Sequence, residues 1–185
     1  MRIVAGTVRG RTLKAPRRAD VIRPTADRVR ESIFNVLGQT CEGLTVLDLF
    51  AGTGALAFEA LSRGATKAVL VDSGREAQQL CRENAQALGF TPVVEVLPLP
   101  AERAVAKLSV RGDRFELIFA DPPYAQTAVD HLLAWLTAHP LLTEGGRLVL
   151  EHSKHETAPQ AAGAFTRLDQ RVFGETVVSI FGSAR

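Results

Sequence analysis

Residues 45–54 have the sequence TVLDLFAGTG, which joins an apolar segment to a loop that contains two glycines. The run Thr45–Phe50 is rich in β-branched and large apolar residues and has the length of a buried strand. The next residues predict a helix over 55–63 that ends at Gly64. Glycines between a strand and a helix let the backbone approach a ligand closely, and the first helical N–H groups are free to bind it. The segment therefore predicts a ligand-binding loop in an α/β fold.

Strands and helices alternate along the rest of the chain. The predicted strands are 68–71, 93–97, 115–120 and 147–150, and the predicted helices are 73–88, 101–108 and 127–138, the first of them opened by a capping-box pattern of Ser73 and Glu76. Near-continuous apolar strands separated by helices indicate a parallel sheet with helices on both faces. Segments 165–172 and 175–181 alternate between apolar and polar residues around Gly174, which predicts an antiparallel hairpin. We therefore predict an α/β, Rossmann-like fold with a mainly parallel seven-stranded sheet and a C-terminal hairpin.

The glycine loop fits two classes of cofactor. Gly52, Gly54 and Ala57 have the spacing of the dinucleotide-binding fingerprint, so the glycines alone do not separate a nicotinamide cofactor from S-adenosylmethionine. A carboxylate at Asp48 repels a pyrophosphate on this loop and attracts the ammonium group of S-adenosylmethionine. Asp72 ends the next strand, where its carboxylate can accept hydrogen bonds from the ribose hydroxyls of either cofactor. The candidate cofactor-binding residues here are Asp48, Phe50, Ala51, Gly52, Thr53, Gly54, Asp72 and Ser73.

A second motif, Asp121-Pro122-Pro123-Tyr124, directly follows the predicted strand 115–120. In a doubly wound sheet this strand lies beside the first one, so the motif faces the same cleft. Two prolines hold the chain extended. The exocyclic amine of a nucleobase is a weak nucleophile, and the Asp121 carboxylate and the Pro122 carbonyl can accept its two N–H bonds and orient its lone pair. Tyr124 offers a ring on which a flipped base can stack. The motif predicts an active site for methylation of a base amine.

Charge is distributed unevenly along the 185-residue chain. Residues 1–30 hold nine Lys and Arg against two Asp, a net charge of +7, whereas the rest holds thirteen basic and eighteen acidic residues, a net charge of −5. A basic segment on a mildly acidic body favours a polyanionic partner such as nucleic acid. This segment predicts a short hairpin over 2–15 and an amphipathic helix over 26–37. We expect one domain, 41–185, preceded by an appendage, 1–40.

Other features exclude several classes of protein. The chain has no apolar run long enough to span a membrane and no apolar secretory leader, so we expect a cytoplasmic protein. Cys41 and Cys81 are far apart and belong to no C-x-x-C pair, and the histidines lack ligand spacing. We therefore expect neither a disulfide nor a bound metal ion.

Over nearly its whole length the chain resembles the class I methyltransferases and, within them, the RsmD-type 16S rRNA guanine-N2 methyltransferases. The most distinctive matches are RIVAG at 2–6, RGR at 9–11, RPTADRVRE at 23–31 and FN at 34–35, together with the segments 48–54 and 121–124. The resemblance implies S-adenosylmethionine as cofactor and N2-methylguanine in small-subunit rRNA as product. One region departs from the resemblance: after the third strand many class I enzymes have an acidic or amide residue that binds the adenine amino group, whereas here Leu99 and Ala101 could contact the adenine through side chain and backbone. The implied RNA-contacting residues are Arg9, Arg11, Lys14, Arg17, Arg18, Arg23, Thr25 and Arg28.

Several alternatives stay open from the sequence. Adenine-N6 methyltransferases also use Asp-Pro-Pro-Tyr, and protein-glutamine methyltransferases commonly carry Asn-Pro-Pro-Tyr. A non-catalytic RNA-binding module could keep the same fold, and a dehydrogenase would leave Asp-Pro-Pro-Tyr unexplained. We expect a monomer that acts on 16S rRNA within the 30S subunit or an assembly intermediate.

Overall fold

The computed structural model describes residues 1–16, 24–123 and 128–183, without the side chains of 24–26. Within these residues one sheet of eight strands is covered by helices on both faces, which confirms the predicted α/β class. The helices are α1 (Pro24–Val36), α2 (Ala55–Ser62), α3 (Arg75–Leu88), α4 (Ala101–Arg111) and α5 (Ala128–Ala138), with a 3-10 turn at Thr91–Val93. The strands are β1 (Thr45–Leu49), β2 (Lys67–Val71), β3 (Val94–Leu97), β4 (Phe115–Ala120), β5 (Leu142–Ser153), β6 (Ala161–Ala162), β7 (Phe165–Phe173) and β8 (Thr176–Ser183).

The strand order is β3-β2-β1-β4-β5-β8-β7-β6. The first five strands in this order run parallel, and β8 and β7 add the predicted antiparallel hairpin. The eighth strand, β6, was not predicted, because its two residues are too short to show an alternating pattern. Strand β5 is also longer than predicted, since pairing with β4 and β8 extends it beyond its apolar centre. The order of the strands reverses at β1: β2 and β3 lie on one side of it and β4 on the other. The carboxyl ends of these strands therefore open into one crevice.

Alternate residues of each central strand pack into two separate cores. Val46 and Phe119 face the core that contains α1, α2 and α3, whereas Leu47 and Ile118 face the core that contains α4 and α5. Asp48 interrupts this pattern on the α1–α3 face. A buried carboxylate costs free energy unless it is paired or protonated, so its presence inside an otherwise apolar strand indicates a functional position.

The N-terminal residues pack into the same core as α1, α2 and α3. The predicted hairpin is reduced to one antiparallel bridge between Arg2 and Thr12, flanked by backbone hydrogen bonds of 2.9–3.1 Å. Ile3 and Leu13 are buried in this core. Residues 1–16 are therefore packed against the helices that cover the first half of the sheet.

A fully buried carboxylate on α2 also fixes the N-terminal segment. Glu59 accepts hydrogen bonds from the backbone N–H of Val4 at 2.8 Å and of Ala5 at 2.9 Å. The same carboxylate pairs with Arg63 at 2.9 Å and with Arg30 at 3.4 Å. The Arg63 guanidinium lies 4.5 Å from the centroid of the Phe34 ring. This network joins the N-terminal segment, α1 and α2.

In the described part of the chain, no helix has the length and hydropathy needed to cross a membrane. The same residues contain no group of three or more His, Cys, Asp or Glu side chains arranged to hold a metal ion. Cys41 and Cys81 are buried free thiols, and burial raises the pKa of Cys41 to about 11 and that of Cys81 to about 12. Both thiols therefore stay protonated near neutral pH.

Candidate active site

Three carboxylates meet at the carboxyl ends of neighbouring strands. Asp48 of β1 pairs in register with Phe119 of β4, which pairs with Val149 of β5. Asp121 and Glu151 stand two residues further along their strands, so all three carboxylates lie on the α1–α3 face of the sheet. They line one cavity of about 510 Å³ together with the glycine loop. The sequence predicted that Asp48 and Asp121 face a common cleft, and the structure brings them together there.

The glycine loop has a backbone that two of its residues make possible. Gly54 has a φ of 78°, and a Cβ there would lie 2.4 Å from Cε2 of Phe58 and 2.7 Å from Cδ2 of Leu70. Gly52 has a φ of 55°, and a Cβ there would meet nothing within 4 Å. Gly54 is therefore required by the packing of the helix on the sheet, whereas Gly52 keeps open the space beside the cavity. Phe50, with a φ of 65°, adopts the same left-handed region without being glycine.

The carboxylates of the cavity hold their protons more tightly than carboxylates in water. Burial raises the pKa of Asp48 to about 7, and the charges of Asp121 and Asp72 add to this, while the N–H of Ala57 at 3.2 Å opposes it. Asp121 is exposed toward the cavity, yet partial desolvation by the surrounding protein raises its pKa to about 6. Burial raises the pKa of Glu151 to about 8, assisted by Asp121 and Asp48 and opposed by Arg30. Because the charges of Asp121 and Asp72 raise the pKa of Asp48, and those of Asp121 and Asp48 raise the pKa of Glu151, the cavity favours a cationic ligand.

A second, smaller cavity of about 190 Å³ adjoins the other side of the glycine loop. Asp72 lines it, accepting hydrogen bonds from the N–H of Gly52 at 2.9 Å and from the N–H of Gly74 at 2.8 Å. The predicted capping box is wrong, because α3 begins after Gly74 and no side chain caps it. Trp135 packs against the α4–α5 core while one side lines this cavity. The structure brings together here five predicted cofactor residues, namely Phe50, Asp72, Ser73, Leu99 and Ala101.

The Asp-Pro-Pro-Tyr motif is described only in part. Pro122 is buried and Pro123 is exposed, so only the first proline is packed where the chain leaves β4. Tyr124 and its predicted stacking role lie outside the described residues. The structure therefore assigns Asp121 to the cavity and leaves the aromatic part of the prediction untested.

The predicted RNA-contacting residues lie in the N-terminal segment and α1. Arg9 and Arg28 are exposed; Arg11 donates to the carbonyl of Ala87 at 2.8 Å, and Lys14 pairs with Glu83 at 2.9 Å. The other predicted RNA-contacting residues, Arg17, Arg18 and Arg23, lie outside the residues that the structure describes, as does the side chain of Thr25.

Buried Asn84 of α3 connects this basic segment with the cofactor loop. Its Oδ1 accepts from the N–H of Lys14 at 2.7 Å, and its Nδ2 donates to the carbonyl of Thr53 at 3.0 Å. One side chain therefore holds the basic segment against the glycine loop.

Sequence reasoning missed several residues of the cavity. Glu151 carries the same signal as Asp48 and Asp121, a carboxylate at the end of an apolar strand. Arg30 is 3% exposed and lines the cavity from α1, although in the sequence it resembles the other basic residues around it. The hairpin turn between β7 and β8 also contributes to the wall, and a sequence offers no local signal for such a long-range approach.

Comparison with known proteins shows which family this chain belongs to. The family model described as Conserved hypothetical protein 95 matches residues 1–182. The chain belongs to this family. The Bacillus subtilis protein named "Putative rRNA methyltransferase YlbH" is 38% identical over 181 residues, which cover 98% of each chain. Ribosomal RNA small subunit methyltransferase D of Escherichia coli is 30% identical over 183 residues, which cover 98% of this chain and 89% of the relative.

Solved structures agree with this assignment. The structure titled "Putative methyltransferase yhhF" from Escherichia coli superposes with a TM-score of 0.87 at 29% identity and covers 100% of this chain and 98% of its own. A hypothetical protein of Thermus thermophilus superposes with a TM-score of 0.80 at 33% identity, covering 97% of this chain and 98% of its own. The predicted relationship to RsmD-type methyltransferases is confirmed by the family and by these relatives.

Proposed function

We propose that this protein transfers a methyl group from S-adenosylmethionine to the exocyclic N2 of a guanine in small-subunit rRNA. The observation that carries the proposal is the meeting of Asp48 and Asp121 in one cavity beside the glycine loop. One carboxylate is suited to a cationic cofactor and the other to the amine that receives the methyl group. The names of the relatives support rRNA as the substrate class.

The cavity fits S-adenosylmethionine better than a dinucleotide. The Asp48 carboxylate attracts the ammonium group of this cofactor and would repel a pyrophosphate on the same loop. Asp48 would hold the ammonium group and Asp72 the ribose hydroxyls, while Leu99 and Ala101 would contact the adenine in the smaller cavity. The open space above Gly52 admits the close approach of such a ligand. When bound, the cofactor supplies an electrophilic methyl group on sulfur.

The chain's own residues orient the amine and remove its proton. The Asp121 carboxylate and the Pro122 carbonyl accept the two N–H bonds, so that the nitrogen lone pair is turned toward the methyl group. With a pKa of about 6, Asp121 is mostly ionised at pH 7 and is a good acceptor there. The same carboxylate can take the proton that the amine loses after transfer. Tyr124 would stack on the flipped base and offset part of the cost of flipping.

The N-terminal segment would bind the RNA backbone. Its net charge of +7 suits phosphate contacts, and Arg9 and Arg28 are exposed there. Within the proposal, residues 1–40 form the RNA-contacting appendage and 41–185 the catalytic domain, which acts as a cytoplasmic monomer. Its substrate would be 16S rRNA in the 30S subunit or in an assembly intermediate.

Methyl transfer to defined substrates tests the proposal. Labelled S-adenosylmethionine is offered with naked 16S RNA, assembled 30S particles, duplex DNA and protein, and mass spectrometry locates the modified nucleotide. Asp121→Asn protein, prepared in parallel, controls for a contaminating enzyme. We expect N2-methylguanine in 16S RNA, in one or both RNA preparations. Methyl groups found only on adenine N6, duplex DNA or protein would refute the substrate, and absence of cofactor binding would refute the enzyme class.

A further inference from the structure

Glu151 lies next to Asp121 in the cavity and has no role in the transfer described above. Leu150 of β5 pairs in register with Ala120 of β4, so the residue that follows each of them lies at the same level. Both Glu151 and Asp121 line the 510 Å³ cavity, and they lie on the same face of the sheet. The site therefore presents two carboxylates side by side where the target base would enter.

The other charged groups around Glu151 are engaged elsewhere. Arg30 of α1 donates to the carbonyl of Arg2 at 2.6 Å and to Asp27 at 2.9 Å. Glu175, in the turn between β7 and β8, also lines the cavity but pairs with Lys154. Asp48 is buried below, where it accepts from the start of α2. Glu151 is thus the group placed to act on the base beside Asp121.

The edge of a purine explains what a second carboxylate can do. In guanine the N2 amine stands next to N1–H, so this edge presents two neighbouring donors. In adenine the N6 amine stands next to an unprotonated N1, which is an acceptor. Two adjacent carboxylates match the guanine edge, whereas one of them would face the lone pair of adenine N1.

We propose that Glu151 accepts a hydrogen bond from N1–H of the target guanine while Asp121 accepts from its N2 amine, which makes Glu151 the residue that selects guanine over adenine. The inference rests on the proposed function and deepens it. The raised pKa of Glu151, about 8, results from burial and from its two carboxylate neighbours. A donor at N1 and a cationic cofactor both favour the ionised form, so ligand binding turns this group into an acceptor.

RNA that carries 2-aminopurine at the mapped target nucleotide tests this role. This base keeps the N2 amine but its N1 carries a lone pair in place of a hydrogen. We expect wild-type protein to methylate the guanine RNA at least 10-fold faster than the 2-aminopurine RNA. Glu151→Gln offers an N–H to the unprotonated N1, and we expect it to shift this ratio toward 2-aminopurine by roughly 10- to 100-fold, the range expected for a hydrogen bond to a charged group.

Two variants control for charge and chemistry. Glu175→Gln makes the same Glu-to-Gln replacement in the same cavity, and we expect it to leave the ratio of the two substrates unchanged. Asp121→Asn should slow both substrates by a similar factor, because both carry the N2 amine. Cofactor affinity and melting temperature are measured for each variant, and Glu151→Ala, which should also lose the preference, replaces the Gln variant if that protein does not fold.

The possible results separate this inference from the proposed function. If wild-type protein methylates no guanine RNA, the proposed function fails. If it methylates guanine and 2-aminopurine RNA equally well, or if Glu151→Gln slows both by the same factor, the function stands and the role of Glu151 is refuted.

Discussion

Replacing each of the two loop glycines by alanine should separate folding from cofactor binding. At Gly54 the new methyl group would enter space held by Phe58 and Leu70 and would also need a left-handed backbone. The backbone costs about 1–2 kcal/mol and the overpacking about 1–3 kcal/mol, so we expect Gly54→Ala to lower the free energy of unfolding by about 2–5 kcal/mol. We expect Gly52→Ala to lower the free energy of unfolding only by the backbone cost of about 1–2 kcal/mol, because a Cβ there meets nothing within 4 Å and causes no overpacking.

The same methyl group at Gly52 would instead obstruct the cofactor. Gly52 lines the cavity, and a misfit of about 1–3 kcal/mol between the added methyl group and the bound ligand raises the Kd for S-adenosylmethionine roughly 5- to 150-fold. Urea denaturation measures the stability of both variants without ligand, and calorimetry measures their affinity for the cofactor. The reasoning is refuted if Gly52→Ala binds the cofactor like wild type, or if Gly54→Ala is no less stable than Gly52→Ala.

Three further changes test the packing, the electrostatics and the RNA surface. Glu59→Ala leaves two buried arginines without their shared carboxylate, so we expect urea denaturation to show a loss of about 3–5 kcal/mol; a loss below about 1 kcal/mol would contradict the network. In the folded protein Asp48 has a pKa of about 7, whereas in the unfolded chain it loses its proton at the ordinary pKa of 3.8. The folded state therefore binds this proton more tightly, and the stability of the ligand-free protein should fall as pH rises from about 3.8 to about 7. Asp48→Asn should flatten that fall in thermal melts, and an unchanged profile would assign it to other groups. RNA affinity should fall steeply with salt, with a log–log slope of about −0.7 per phosphate contact on single strands. That slope should become shallower when four basic residues are replaced by alanine, namely Arg9, Arg11, Arg17 and Arg18, and an unchanged slope would locate the RNA contacts elsewhere.

The centre of the fold could be predicted because its signals are local. Apolar runs of strand length, separated by helical patterns and glycines, indicate the parallel sheet without any knowledge of contacts. Asp48 and Asp121 stand out for the same reason, since each is a carboxylate at the end of an apolar strand. The predicted positions of both residues therefore agree with the cavity that the structure contains.

The missed features depend on contacts between distant segments. Arg30 could not be distinguished from its basic neighbours, because only the folded chain buries it against Glu59. Glu151 directly follows the predicted strand 147–150, as Asp121 follows 115–120, and only the folded chain shows that both line one cavity. The Ser73 cap failed for a local reason instead, because the carboxylate of Asp72 accepts from the N–H of Gly74 at the start of α3.

The most direct test of the account measures cofactor binding and methyl transfer in Asp121→Ala. The account predicts that the Kd for S-adenosylmethionine stays within a few-fold of wild type, while transfer to 16S RNA falls by about 10²-fold or more, the usual contribution of a positioned acid–base group. Transfer at the wild-type rate, or a loss of transfer fully explained by a loss of cofactor binding, would contradict the claim that this carboxylate acts on the amine.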